Sequence, residues 1–356
     1  MRARNDATQH TEGSRAAPNG DAGGRSRRSL AARRPLVSLA LQGGGSFGAF
    51  TWGVLDRLLE ADGVAIDALS GTSAGAVNAV VLASGLAEGG PERARERLRG
   101  LWRRLSELAA FTPFGSASRL FAGQEAILSA AVDLSTRFLS PYQFNPLALN
   151  PLRGILAEEV DFDLLRRTSP VRLLVAATAV RDGRQRIFQN AELTLEAVLA
   201  SSCLPLLQRA VSIDGEWYWD GGYTANPPLL PLAVMSQAPD MIVVQVTPAE
   251  YDGLPLLAPE IARRLQQIAF NAPLLNEIEQ LAALKKEFRA RPKIASSRLG
   301  RKLRRLRIHR IAAEKELARL AERSALNLDP SFLLELRDAG RAAAEKWLGE
   351  KNRARP

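Results

Sequence analysis

The sequence predicts an α/β fold with a mostly parallel central sheet, followed by a helical C-terminal extension. Three observations carry that expectation. Leu36-Val37-Ser38-Leu39-Ala40-Leu41 is a near-continuous apolar run, suited to a strand buried on both faces. It runs into a glycine-rich turn, Gln42-Gly43-Gly44-Gly45-Ser46-Phe47-Gly48, and then into residues 49–60, which read as a helix. A second apolar stretch, Ile66 to Leu69, leads to Gly71-Thr72-Ser73-Ala74-Gly75 and a further helical run over 76–83. Strand, turn, helix, strand, turn, helix is one βαβα module.

Within the first helix Phe47, Phe50, Val54 and Leu58 fall on one stripe, with Asp56, Arg57 and Glu60 expected to face water. Residues 91–108 alternate charges with Leu98, Leu101, Trp102 and Leu105, the pattern of a surface helix with one buried face. Residues 110–152 are less regular and rich in Phe, Leu, Pro and Ser; they read equally as a lid or as short helices packed on the domain. The sheet resumes at 171–178. Arg181-Asp182-Gly183-Arg184 is expected to turn a hairpin into 185–188, and residues 194–202 to form a short helix. A second hairpin over 211–219 delivers Asp220-Gly221-Gly222, and a core strand follows at 241–246. From about Pro259, leucine, alanine and charged residues recur at helical spacing to about Leu348, interrupted by Pro292 and Pro330. The expected organisation is a disordered basic leader (1–35), a catalytic domain (36–250), the helical extension (251–350) and a short tail (351–356).

Composition narrows the function classes. The 356 residues are ample for a large α/β domain, and one cysteine, Cys203, excludes an intrachain disulfide. Cys203 sits in an apolar stretch and reads as a small buried residue. No run approaches the ~20 apolar residues of a membrane span, and the leader lacks the apolar core of a signal peptide, so a cytoplasmic location is expected. The net charge of +10 is uneven: +5 lies in residues 1–35 and +11 in 285–310, leaving the rest at −6. A mildly acidic body argues against nucleic acid as partner. The basic run at 285–310 reads as a solvated helix face or as a peripheral contact with an anionic membrane.

Gly71 to Gly75 is a G-x-S-x-G pattern between strand and helix, where a serine hydroxyl can stand exposed on a sharp turn. Serine needs a base. The histidines are His10, in the leader, and His309, in the basic run, and neither is well placed to meet Ser73. A carboxylate is therefore expected. Asp-Gly pairs begin at Asp62, Asp182, Asp214, Asp220 and Asp252, and most such pairs are turns. Asp220 differs in ending an aromatic strand and preceding two glycines. The amides of Gly43, Gly44 and Gly45, at a helix N-terminus, are suited to a developing oxyanion. A competing reading takes Gly43, Gly45 and Gly48 as a dinucleotide fingerprint with Asp62 or Asp67 as its acid. The serine turn right after the second strand weakens it.

Gly-Gly-Gly-Ser-Phe-Gly (43–48), Gly-Thr-Ser-Ala-Gly (71–75) and Asp-Gly-Gly (220–222), in that order, resemble the motifs of the patatin-like phospholipases. The resemblance covers roughly residues 36–250. It implies a patatin-like three-layer sandwich and a lipid acyl hydrolase with a Ser73–Asp220 dyad, the 43–45 glycines as oxyanion hole, and Gly48, Gly71, Gly75, Gly221 and Gly222 as supporting motif positions. It implies a lipid or other ester substrate, no cofactor and no metal in the dyad. Many members carry Arg or Lys where this chain has Phe47, so ester hydrolysis is a firmer expectation than a preference for phospholipid. Besides dinucleotide binding, a membrane-associating module with little catalysis and an acyltransferase are the other readings.

Overall fold

The computed structural model describes residues 34–61, 63–111, 140–250, 253–312 and 325–353. The basic leader, and most of the segment read as a lid or packed helices, lie outside them.

An eight-stranded mixed sheet runs through the domain in the order β5-β6-β3-β2-β1-β7-β8, with β4 beside β3. The strands are β1 (Leu36–Leu41), β2 (Ala65–Thr72), β3 (Arg172–Ala179), β4 (Gln185–Gln189), β5 (Val211–Ile213), β6 (Glu216–Asp220), β7 (Asp240–Val244) and β8 (Arg307–Ile311). Pairing is parallel from β3 through β2, β1 and β7 to β8. The two expected hairpins, β3–β4 and β5–β6, are antiparallel.

The period-2 geometry of the strands sends alternate residues into two cores. Val37, Leu39 and Leu41 join Leu173, Val175, Ile242 and Val244 in one core. Among the helices that close it are α1 (Gly48–Glu60), α2 (Ala74–Gly89), α3 (Pro91–Phe111) and α4 (Leu195–Ser201). Ala40, Ala68, Leu174, Met241 and Val243 point the other way. They meet α5 (Leu229–Met235), α6 (Ala258–Ala290) and α7 (Arg298–Arg305). The result is helices, sheet, helices, a three-layer sandwich.

The C-terminal helices expected from the periodicity are present, and they enclose a strand that helical spacing did not announce. β8 lies parallel to β7, with Asp240 opposite Arg307 and Ile242 opposite His309. The buried Asp240 carboxylate fixes this strand: Arg307 donates to its two oxygens at 2.7 Å each, and His309 Nε2 lies 2.6 Å from Oδ1. Burial pushes that carboxyl up, but Arg307, His309 and the nearby Lys351 hold it well below the usual carboxylate range. His309 is thereby engaged where β7 begins, at the sheet end opposite Ser73.

The last helix, α8 (Pro330–Arg353), covers the outer side of α1. The backbones meet at Gly53 and Gly340: a Cβ on Gly340 would collide with Phe50 O, and one on Gly53 with Arg337 O. The same cover corrects the expectation for Asp56. It does not face water but is buried, hydrogen-bonded to Arg95 at 2.8 Å and to Arg341 of α8. Gly340→Leu should therefore force α8 off α1. Overpacking of this kind costs ~1–3 kcal/mol, and thermal denaturation should show a lowered Tm.

The basic run does not form one face. It is divided among the end of α6, α7 and β8, and several of its cations are used internally: Lys302 donates to Val234 O and Arg307 to Asp240. Among the described residues no helix is long and apolar enough to cross a membrane.

Candidate active site

Ser73 follows the last residue of β2 and precedes α2, with φ 55° and ψ −127°. A non-glycine residue in that region costs ~1–3 kcal/mol and persists only where the surroundings over-determine it. Here they do. The Ser73 N–H donates to Ser201 Oγ at 3.0 Å, and Thr72 Oγ1 donates to Ala225 O at 2.6 Å. The turn is tight enough that a Cβ on Gly71 would lie 2.6 Å from the carbonyl carbon of Gly75, while one on Gly75 would collide with Leu41 O. Ser73 itself is 8% exposed, at the edge of the buried interior.

Asp220 reaches the same place by way of β3. One edge of β3 pairs first with β2 and then with β6: Thr72 is opposite Ala176, and Asp220 is opposite Ala177. β4 occupies the other edge throughout. The end of β2 and the end of β6 therefore meet head to head, which sets the serine turn beside the carboxylate. Gly221 permits the approach, since a Cβ there would collide with Ala176 O and lie 3.0 Å from Thr72 Cγ2. The Asp220 backbone is pinned by its N–H to Cys203 O and by Thr178 Oγ1 to its carbonyl, both at 2.8 Å.

The Asp220 carboxyl is fully buried. Its Oδ1 accepts from Gly222 N at 2.7 Å, while Oδ2 has no hydrogen-bond partner among the described residues. Burial pushes the group up to about 7, against the Gly222 N–H and the Ser73 hydroxyl, which both favour the charged form. Ser73 thus lies near enough to act on the carboxyl, yet short of a formed hydrogen bond to Oδ2. Cys203 is buried next door, and burial together with Asp220 pushes its thiol up to about 12. It is an inert neighbour, as its apolar setting in the sequence suggested.

The glycine loop closes the third side. A Cβ on Gly43 would sit 2.7 Å from Ser73 Cβ and 2.6 Å from Thr72 O. The three amides expected to act together are not equivalent. Gly43 N donates to Asn226 Oδ1 at 2.7 Å, whereas Gly44 N and Gly45 N have no hydrogen-bond partner among the described residues. Gly48 rests against Ala74 and Trp102, and Gly222 against Phe270. Phe47, where a cation was the family expectation, is buried and meets Phe332 of α8 edge-on at 6.0 Å.

Asn226 and Ser201 are the site residues that sequence reasoning missed. Asn226 joins three segments, accepting from Gly43 N and donating to Phe270 O at 3.0 Å and Gly43 O at 3.5 Å. The only signal was its position four residues after Gly222, before two prolines. Of the two acids named for the dinucleotide reading, Asp67 lies early in β2, at the far end of the sheet, held by Ser236 Oγ at 2.9 Å and Gln237 N at 2.6 Å. Asp62 lies outside the described residues.

The helices–sheet–helices sandwich, with the serine turn and the aspartate loop at one end of its sheet, defines a class of three-layer α/β fold. Within it, the chain belongs to the patatin-like phospholipase family, whose model matches residues 39–233. Among solved structures it is similar to VipD from Legionella pneumophila, with 13% identity over 89% of this chain and 67% of that one and a TM-score of 0.38. It is also similar to the type III effector ExoU, with 17% identity over 89% of this chain and 53% of that one and a TM-score of 0.33. Full-length ExoU in complex with SpcU, from Pseudomonas aeruginosa, gives 18% identity over 91% and 62% and a TM-score of 0.27. This chain thus spans between 53% and 67% of the lengths of those chains. Likenesses so distant say nothing of substrate. No curated protein matches the sequence closely.

Proposed function

We propose that the chain hydrolyses carboxylic esters of lipids through a Ser73–Asp220 dyad and an acyl-enzyme intermediate. Asp220 accepts the hydroxyl proton as Ser73 Oγ attacks the ester carbonyl carbon. The carbonyl electron pair moves to oxygen, and the Gly44 and Gly45 N–H groups at the α1 end donate hydrogen bonds to that oxyanion. As the tetrahedral intermediate collapses, the bond to the leaving alcohol breaks and Asp220 returns the proton to that oxygen. Water, deprotonated by the same carboxylate, then attacks the acyl carbon; the bond to Ser73 Oγ breaks, Asp220 returns the proton to Oγ, and the fatty acid leaves.

The observation that carries this reading is the head-to-head meeting of β2 and β6 on one edge of β3, which brings Ser73 and Asp220 together. The electrostatics agree with it. An aspartate at its ordinary value of ~3.9 is a poor base for serine, whereas one pushed up to about 7 is better matched and still ionises near neutrality. Gly43 holds the loop in place through Asn226 rather than donating to the oxyanion. A cytoplasmic enzyme that meets its substrate at a membrane surface fits the basic run at 285–310.

Two measurements test the reading. Hydrolysis of a short-chain nitrophenyl ester, and release of fatty acid from phospholipid, should both occur without added metal; absence of both would sink the proposal. Asn226→Ala should leave the Gly43 N–H unsatisfied and loosen the loop. An unpaired buried donor costs ~1–3 kcal/mol, so kcat for the nitrophenyl ester should fall about tenfold to a hundredfold while Ser73 remains reactive.

A further inference from the structure

The N-terminal half of α6 is an apolar feature that the described residues leave uncovered. No described residue from 253 to 270 is buried, and the helix first enters the core at Asn271. The projecting part carries Leu257, Ile261, Leu265 and Ile268 at spacings of four, four and three residues, one lateral stripe of a helix. Leu254 and Leu256 precede it, both more than three-quarters exposed, and Leu265 is 62% exposed. A patch of this kind on a polar surface marks an interaction site.

Its position says what it meets. Phe270, two residues beyond Ile268, lies against Gly222 and meets Tyr223 edge-on at 5.2 Å, and its carbonyl accepts from Asn226. Asn271 accepts from Gln42, the residue before Gly43, at 2.8 Å. The helix is therefore clamped to both the glycine loop and the Asp220 loop where it leaves the core, and its apolar stripe begins beside the site. Arg263 and Arg264 flank the stripe in the first half, and at the other end of the same 33-residue helix Lys285, Lys286 and Arg289 outnumber Glu287. Counted at 100° per residue, Lys286 falls on the line of Ile268 and Leu275, with Arg289 beside it, and both cations are exposed. An apolar stripe flanked by cations and followed by more of them suits a helix lying in a membrane interface, with acyl chains under the stripe and anionic headgroups at the cations.

We infer that the α6 stripe is the surface on which the protein docks to an anionic lipid bilayer, holding the mouth of the Ser73–Asp220 site against its substrate. This rests on the lipid-hydrolase reading for its purpose but not for its test. Sedimentation with vesicles of phosphatidylcholine containing 30 mol% phosphatidylglycerol, a composition of roughly physiological anionic content, measures docking directly. Turnover of a soluble nitrophenyl ester reports separately on the dyad. The double substitution Ile261→Glu and Leu265→Glu alters only exposed positions. It should lower vesicle binding and vesicle hydrolysis each by about tenfold or more, with soluble-ester turnover within about twofold of wild type. Lys286→Glu with Arg289→Glu should weaken binding to the anionic vesicles and leave the weaker binding to pure phosphatidylcholine unchanged. Ser73→Ala should bind vesicles as wild type does.

Wild-type vesicle binding by the Ile261/Leu265 variant would overturn the inference. A shift from dimer to monomer in that variant by light scattering would instead assign the stripe to a second copy. If wild type binds vesicles through the stripe but hydrolyses nothing, the docking surface stands and the dyad falls.

Discussion

Ser73→Ala is expected to reduce ester hydrolysis by at least about 10⁴-fold, the scale seen when a nucleophile is removed from a group of residues that act as a unit. The fold should survive. The backbone N–H that holds the turn, donated to Ser201 Oγ, is untouched, and alanine keeps the Cβ that packs against Gly43. Circular dichroism and Tm should therefore match the wild type closely while turnover vanishes. Loss of activity together with loss of fold would point instead to a structural serine.

Asp220→Asn has the second large effect, and it should act in opposite directions on activity and stability. The amide is close in shape to the carboxyl and keeps the bond from Gly222 N, but it cannot take a proton from Ser73. Activity should fall by about 10³-fold or more, toward what an oxyanion site supports unaided. Stability follows from linkage. The folded carboxyl is pushed up to about 7 by burial, whereas the unfolded one titrates near its ordinary 3.8. Between those values the folded state holds a proton that the unfolded state has released, so stability falls as pH rises through that window and is flat above it. Full ionisation costs the fold up to ~4 kcal/mol, a penalty that asparagine never meets. The variant should therefore melt several degrees above the wild type at pH 8, with the gap closing toward pH 4. In the wild type, kcat should rise through about pH 7 as the base ionises. A variant with equal Tm at both pH values would mean that Asp220 is not a desolvated carboxylate.

The parts of this protein legible in its sequence are those written in local chemistry. The apolar run at 36–41, the glycines at 43–48, the G-x-S-x-G turn and Asp220-Gly221-Gly222 each announce themselves within a few residues. Strand, helix and hairpin positions followed from the same periodicities. What stayed hidden depends on partners far along the chain. Asp56 sits on a helix position that ought to face water, and it is buried because Gly53 and Gly340 let a helix some 290 residues away close over it. β8 is short and mostly basic, and it pairs with β7 where Asp240, 67 residues before Arg307, engages Arg307 and His309. Gly43 has the composition of an oxyanion donor, but its amide is already taken by Asn226, 183 residues on. Of the two histidines, His309 is engaged by Asp240 at the far end of the sheet, and the Asp220 carboxyl lies close to Ser73.

The most direct test of the dyad is covalent. Incubation with a fluorophosphonate ester, followed by intact-mass and peptide analysis, should give a single adduct on Ser73, absent in Ser73→Ala and strongly slowed in Asp220→Asn. An adduct on another residue, or labelling of the Asp220→Asn protein at the wild-type rate, would contradict it.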